Sequence, residues 1–104
     1  MDTIDRTEMQ QIVERGRVRL VLTLGPAAYG QAHIPGSETF DDLTSALRKL
    51  SRDEEIVVYC SGPACSSSRR AQLLLRSRGY ERVRRYAGGL EDWHRAGLPL
   101  NNPV

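Results

Sequence analysis

Apolar positions along the chain switch between two spacings. Over residues 7–15 they fall at Met9, Ile12 and Val13, on one helical face, and Gly16 is suited to close a helix. In Arg17-Val-Arg-Leu-Val-Leu-Thr-Leu24 the pattern alternates and then becomes continuously apolar, which predicts a strand whose later part is buried on both faces and which Gly25-Pro26 terminates. After a loop containing Ala32-His-Ile-Pro-Gly36, residues 41–50 place Leu43, Ala46, Leu47 and Leu50 on a helical stripe, with Asp41 and Asp42 at the end where the helix dipole favours acids. Ile56-Val-Val-Tyr-Cys60 is β-branched and almost wholly apolar, so it reads as a central strand ending on Cys60. A turn-rich stretch, Ser61-Gly-Pro-Ala-Cys-Ser-Ser-Ser68, leads into a helix over 69–78 that buries Ala71, Leu74 and Leu75 and ends at Gly79, with one of the serines capping its start. Arg82-Val-Arg-Arg-Tyr86 alternates as a strand, Gly88-Gly89 turns the chain, and residues 90–96 form a last short helix.

Strands alternating with helices imply right-handed crossovers and an α/β fold of three layers, a mostly parallel sheet with helices on both faces. Sheets of this kind bind ligands beyond the carboxyl ends of their strands, and a cysteine stands at that edge. The 104 residues suit a single domain over 1–104, and 39% hydrophobic with 27% charged residues is ordinary for a globular chain.

Composition narrows the chemistry. The apolar runs are far shorter than the roughly 20 residues that span a bilayer, and Met-Asp-Thr-Ile-Asp-Arg lacks the basic head and apolar core of a secretory signal, so the expected compartment is the cytoplasm, with no membrane partner. Two cysteines five positions apart make a poor disulfide framework and a reasonable thiol site. With only His33 and His94 as further nitrogen ligands, no metal site and no cofactor are expected. Seven arginines (Arg69, Arg70, Arg76, Arg78, Arg82, Arg84, Arg85) face one acid, Glu81, across 69–85. Without interleaved aromatics or a helix-turn-helix pattern they read as a solvated helix face and strand ends rather than a nucleic-acid surface, in a field that favours small anions near the cysteines.

Cys60 has two local readings. A thiol between a buried strand and a helix N-terminus is placed for reactivity, because loop amides and the dipole stabilise the thiolate; equally, free cysteine often packs as a small buried hydrophobe. A phosphatase or arsenate reductase would need an arginine six positions after its cysteine to fork an oxyanion, and those positions hold Ser66 and Ala71.

Ile56-Val-Val-Tyr-Cys-Ser-Gly-Pro-Ala-Cys-Ser-Ser-Ser68, Ala71-Gln-Leu-Leu-Leu, Gly79-Tyr80 and Gly88-Gly-Leu-Glu-Asp-Trp93 together resemble the second half of a rhodanese homology domain, and Ala32-His-Ile-Pro-Gly-Ser37 resembles its first-half signature. The resemblance implies a three-layer α/β/α fold with a central, mostly parallel sheet of about five strands, and a sulfurtransferase in which Cys60 carries sulfane sulfur as a persulfide, within an active-site loop of Ser61, Gly62, Pro63, Ala64, Cys65, Ser66, Ser67 and Ser68. It implies as partners a small sulfur-containing anion or persulfide donor and a protein or small-molecule thiol acceptor. Three features depart from the family pattern. Thr23-Leu-Gly25 stands where an Asp-x-Arg pair is usual, the loop is about two residues longer than in compact members, and it holds a second thiol, Cys65, which is either a tolerated small residue, a resolving or acceptor group for Cys60, or itself the nucleophile, with Cys60 favoured as nucleophile because it alone sits at the strand end. Arg69 and Arg70, in the first turn of the next helix, are candidates for anion binding. A non-catalytic module that binds a partner or senses redox state through Cys60 and Cys65 is the alternative. His33 is expected to fix its loop, and Trp93 to anchor the last helix.

Overall fold

Five parallel strands in the order β1-β5-β4-β2-β3 make one sheet in the computed structural model, which describes residues 2–101. The elements run β1 (Thr3–Ile4), α1 (Arg6–Arg15), β2 (Arg19–Leu22), α2 (Pro26–Gln31), β3 (Ser37–Glu38), α3 (Leu43–Lys49), β4 (Ile56–Tyr59), α4 (Ser67–Ser77), β5 (Val83–Tyr86) and α5 (Gly89–Arg95). The three-layer α/β architecture is therefore as the periodicity implies. β1, β3 and α2 are additions to it. β2 stops at Leu22, Cys60 is the first residue beyond β4, and α4 starts at Ser67, so Ser67 and Ser68 belong to the helix rather than the loop.

Local chemistry sets the boundaries. The Asp5 carboxylate accepts from the Glu8 amide at 2.9 Å and starts α1, and Gly16 at φ 71° closes it by donating to the Ile12 carbonyl. Asp42 starts α3 in the same way through the Ser45 amide at 2.8 Å. At α4, Ser66 holds the capping position but its side chain makes no capping bond.

Each face of the sheet has its own core. Leu20, Leu22, Val57, Tyr59 and Tyr86 meet Met9, Ile12 and Trp93 from α1 and α5 on one side. On the other, Val21, Ile56, Val58 and Val83 meet Ala46, Leu75 and Tyr80 beneath α3 and α4. Alternation along β4 sends Ile56 and Val58 to the second face and Val57 and Tyr59 to the first, all at most 1% exposed. Each such side chain contributes about 1.5–3 kcal/mol relative to an exposed one, so β4 and the residue that follows it stand on rigid ground.

Candidate active site

Three supports fix the segment after β4. The Tyr59 hydroxyl is buried, accepts from the Ile34 amide at 3.0 Å and lies 2.7 Å from Ser37 Oγ, which ties the Ala32-His-Ile-Pro-Gly-Ser37 element to the strand beneath the cysteine. Burial raises the Tyr59 phenol above its usual value, so it stays a neutral donor and acceptor. The start of α5 donates two amides back to the loop, Leu90 to the Cys60 carbonyl at 2.9 Å and Glu91 to the Ser61 carbonyl at 2.8 Å. Gly89 permits that approach: at φ +64° a Cβ would stand 2.4 Å from the Cys60 carbonyl and 2.8 Å from the Gly62 amide nitrogen. Gly89 thus serves the site, and Trp93, buried four residues on with its Nε1 donating to the Pro99 carbonyl, anchors the helix.

Both thiols are free, and each meets a serine from the first turn of α4. Cys60 is 1% exposed, with Sγ 3.1 Å from Ser68 Oγ and 3.5 Å from the Cys65 carbonyl, which lies across it. Cys65 is half-buried at the mouth, with Sγ 3.3 Å from Ser67 Oγ, and Ser67 Oγ is in turn 2.8 Å from Thr23 Oγ1. Burial pushes the Cys65 thiol up, but hydrogen bonds from the Cys60 thiol, the Ser67 hydroxyl and the Ser67 and Ser61 amides outweigh it and bring the thiol down to about 6. The loop amides of Ser61 and Ser67 therefore act on Cys65.

The wall expected at Thr23-Leu-Gly25 is neutral, formed by the Thr23 hydroxyl, which donates to the Tyr59 carbonyl at 3.2 Å. Beyond Thr23 and Ser67 a cavity of about 340 Å³ opens between α3 and α4, lined by Phe40, Leu43, Ala71 and Leu74 with Arg70 on its border. Arg69 and Arg70 are exposed, and neither side chain forms a hydrogen bond or ion pair among the described residues. Of the other arginines, Arg76 pairs with Asp2 and Arg82 and Arg84 pair with Glu55, which fits a solvated face. Arg85 does not fit it. Its residue is 6% exposed, and its Nε donates to Ser68 Oγ at 2.9 Å, one atom away from Cys60. A signal for this was present, since alternation places Arg85 on the face of Val83, which is fully buried. His33 stacks on Tyr29 at 3.7 Å with Nδ1 2.8 Å from the Tyr29 carbonyl, which occupies it structurally. His94 is exposed.

A parallel α/β sheet with a supported cysteine at its carboxyl edge defines a class of thiol-bearing domains, and comparison with known proteins makes the class specific. The rhodanese-like domain family matches residues 5–96, and the chain belongs to that family. It is 30% identical over 99 residues to the thiosulfate sulfurtransferase GlpE of Vibrio cholerae, covering 93% of this chain and 92% of that protein. It is 35% identical over 102 residues to an HTH-type transcriptional regulator of Mycobacterium tuberculosis, covering 96% of this chain and 45% of the regulator, so the chain spans less than half of that relative. Among solved structures it superposes on the rhodanese-like domain of an Anabaena protein with a TM-score of 0.86 at 26% identity, over 98% of this chain and 80% of the other.

Proposed function

We propose that this protein is a rhodanese-type sulfurtransferase in which Cys60 carries the transferred sulfur. The Cys60 thiolate attacks the outer sulfur of thiosulfate, a polysulfide or a persulfide. One S–S bond forms as another breaks, and sulfite or a shortened thiol leaves with the electron pair. A thiophilic acceptor then takes the outer sulfur of the Cys60 persulfide and returns the thiolate, so the cycle needs no oxidant, metal or cofactor. The observation that carries this reading is the footing of Cys60: a sulfur at the carboxyl edge of the central strand, hydrogen-bonded by Ser68 and oriented through the Cys60 and Ser61 carbonyls. The α4 N-terminus, with Arg69 and Arg70 in its first turn, favours approach of an anionic donor. Cys65, brought down to about 6 at the mouth, is the neighbouring thiol that receives sulfur from Cys60 or guards it. Chemistry that depends on two reduced thiols belongs in a reducing compartment such as the cytoplasm.

The test is cyanide-dependent thiocyanate formation from thiosulfate. We expect turnover by the intact chain, a loss of about 1000-fold in Cys60→Ser, and no hydrolysis of an aryl phosphate. Unchanged turnover in Cys60→Ser overturns the assignment.

The contact between Cys60 and Cys65 favours a second reading, a redox-sensing module. There the two thiols give up two electrons and two protons to a peroxide and join as a disulfide. Rapid loss of both thiols to peroxide, with no sulfur gained from any sulfane donor, selects it over the first.

A further inference from the structure

Arg85 is a buried cation with no carboxylate to answer it among the described residues: every other arginine on β5 or at its ends pairs with an acid, and this one meets a hydroxyl. Its Nε is held against that hydroxyl and no buried nitrogen of it lacks a partner, so the outer end of the guanidinium meets solvent while the inner end, with no carboxylate beside it, favours an anion nearby. The pairing of β4 with β5 shows where that anion lies. Val58 stands opposite Arg85 in the register, and alternation places Ile56, Val58 and Cys60 on the face shared by Val83 and Arg85. Ser68 reaches that face from α4 and bridges the two, 2.9 Å from Arg85 Nε and 3.1 Å from Cys60 Sγ.

The bridge has a direction. Arg85 Nε can only donate, so Ser68 Oγ accepts from it and keeps its own hydrogen for the sulfur. We propose that Arg85 is a positioning residue that supplies, through the Ser68 hydroxyl, the buried countercharge for the sulfur anion on Cys60. This rests on Cys60 as the sulfur carrier. It assigns to β5 the positive charge that the neutral Thr23 wall does not provide. It also separates the two sulfurs: Cys65 faces the Ser67 hydroxyl, and Cys60 faces the Ser68 hydroxyl with Arg85 behind it. The charged and titratable groups facing the sulfurs are few. Arg85 comes from β5, and Glu91 from α5, with its carboxylate over Gly62 and paired to Arg95 at 2.7 Å. α4 presents the Ser67 and Ser68 hydroxyls, with Arg70 about one turn on, and the end of β2 presents the Thr23 hydroxyl.

The test follows the rate at which the full-length chain gains sulfur on Cys60 from thiosulfate, located by fragment mass spectrometry, between pH 6.5 and pH 9.5. Arg85→Gln should slow the gain about tenfold at pH 6.5 and come within about twofold of the unsubstituted chain at pH 9.5, where the thiolate forms without help. Arg85→Lys should recover most of the difference. Ser68→Ala, which removes one oxygen and keeps the fold, should reproduce the Arg85→Gln profile, and the double substitution should be no slower than the slower single. Arg78→Gln, an exposed arginine at the end of α4, should match the unsubstituted chain. Sulfur gained at the unsubstituted rate by both Arg85→Gln and Ser68→Ala overturns the inference. So does a loss of equal size at every pH that lysine does not rescue, which marks a packing role only. Absence of sulfur on Cys60 in the unsubstituted chain is a different result and overturns the sulfur-carrier reading itself.

Discussion

Cys60 and Cys65 share one loop and one helix turn, yet their surroundings differ at each point that matters for a thiol. Cys60 is enclosed, bonded to Ser68, and Ser68 is backed by the buried charge of Arg85. Cys65 is half-exposed, bonded to Ser67, and Ser67 is backed by the neutral hydroxyl of Thr23. The inner sulfur has a fixed charge behind it and little access; the outer one has access and a set of amide and hydroxyl donors. A carrier needs an anion held in one geometry while its partner thiol needs reach, and adjacent serines suffice to divide those roles.

The largest expected difference between the two is in turnover. Cys60→Ser removes the sulfur carrier and should lower thiocyanate formation about 1000-fold, whereas Cys65→Ser should cost no more than about tenfold. Equal losses would merge the two roles. Next comes the platform beneath the inner sulfur. Gly89→Ala, whose Cβ would overlap the Cys60 carbonyl at 2.4 Å, should destabilise the fold by about 2–4 kcal/mol in denaturant unfolding and abolish sulfur gain at Cys60.

The outer sulfur is tested by pH. Cys65 labelling by iodoacetamide should be half-maximal at about 6, below the ordinary 9.0 of a thiol. Between those values the unfolded chain holds a proton that the folded chain has released, so the Cys65 contribution to stability rises with pH. It is complete above 9.0 and lost as pH falls through about 6. The smallest effect is reserved for Thr23→Val: the Thr23 hydroxyl gives its hydrogen to the Tyr59 carbonyl and so accepts from Ser67, and its loss frees the Ser67 hydrogen for Cys65, which should speed Cys65 labelling at pH 6 about twofold while leaving sulfur gain on Cys60 unchanged.

Much of this arrangement is legible in the residue pattern. The long runs, Ile56-Val-Val-Tyr and the stripes of α1, α3 and α4, repeat their period often enough to identify their elements, and a cysteine directly after a parallel strand locates the site. β1 and β3 have two residues each, too few to carry a period, and their strand form comes from pairing with β5 and β2. α2 has no buried residue to mark a face, and it starts with Pro26 after Gly25, a pair that reads locally as a break although proline is favoured at a helix's first position. Arg85 was obscured by its neighbours, because six other arginines in the same window support a solvated reading and only the inward register of Val83 argues otherwise. The amide donors on the outer sulfur depend on the path of the loop between Gly62 and Ser66, which no spacing rule encodes.

The most direct test of the division between the thiols is the location of the first sulfur. After brief exposure of the reduced chain to limiting thiosulfate at pH 7.5, fragment mass spectrometry should find a single added sulfur, on Cys60, with Cys65 unmodified. A first sulfur confined to Cys65, or a Cys60–Cys65 disulfide with no sulfur gained at either position, contradicts the account.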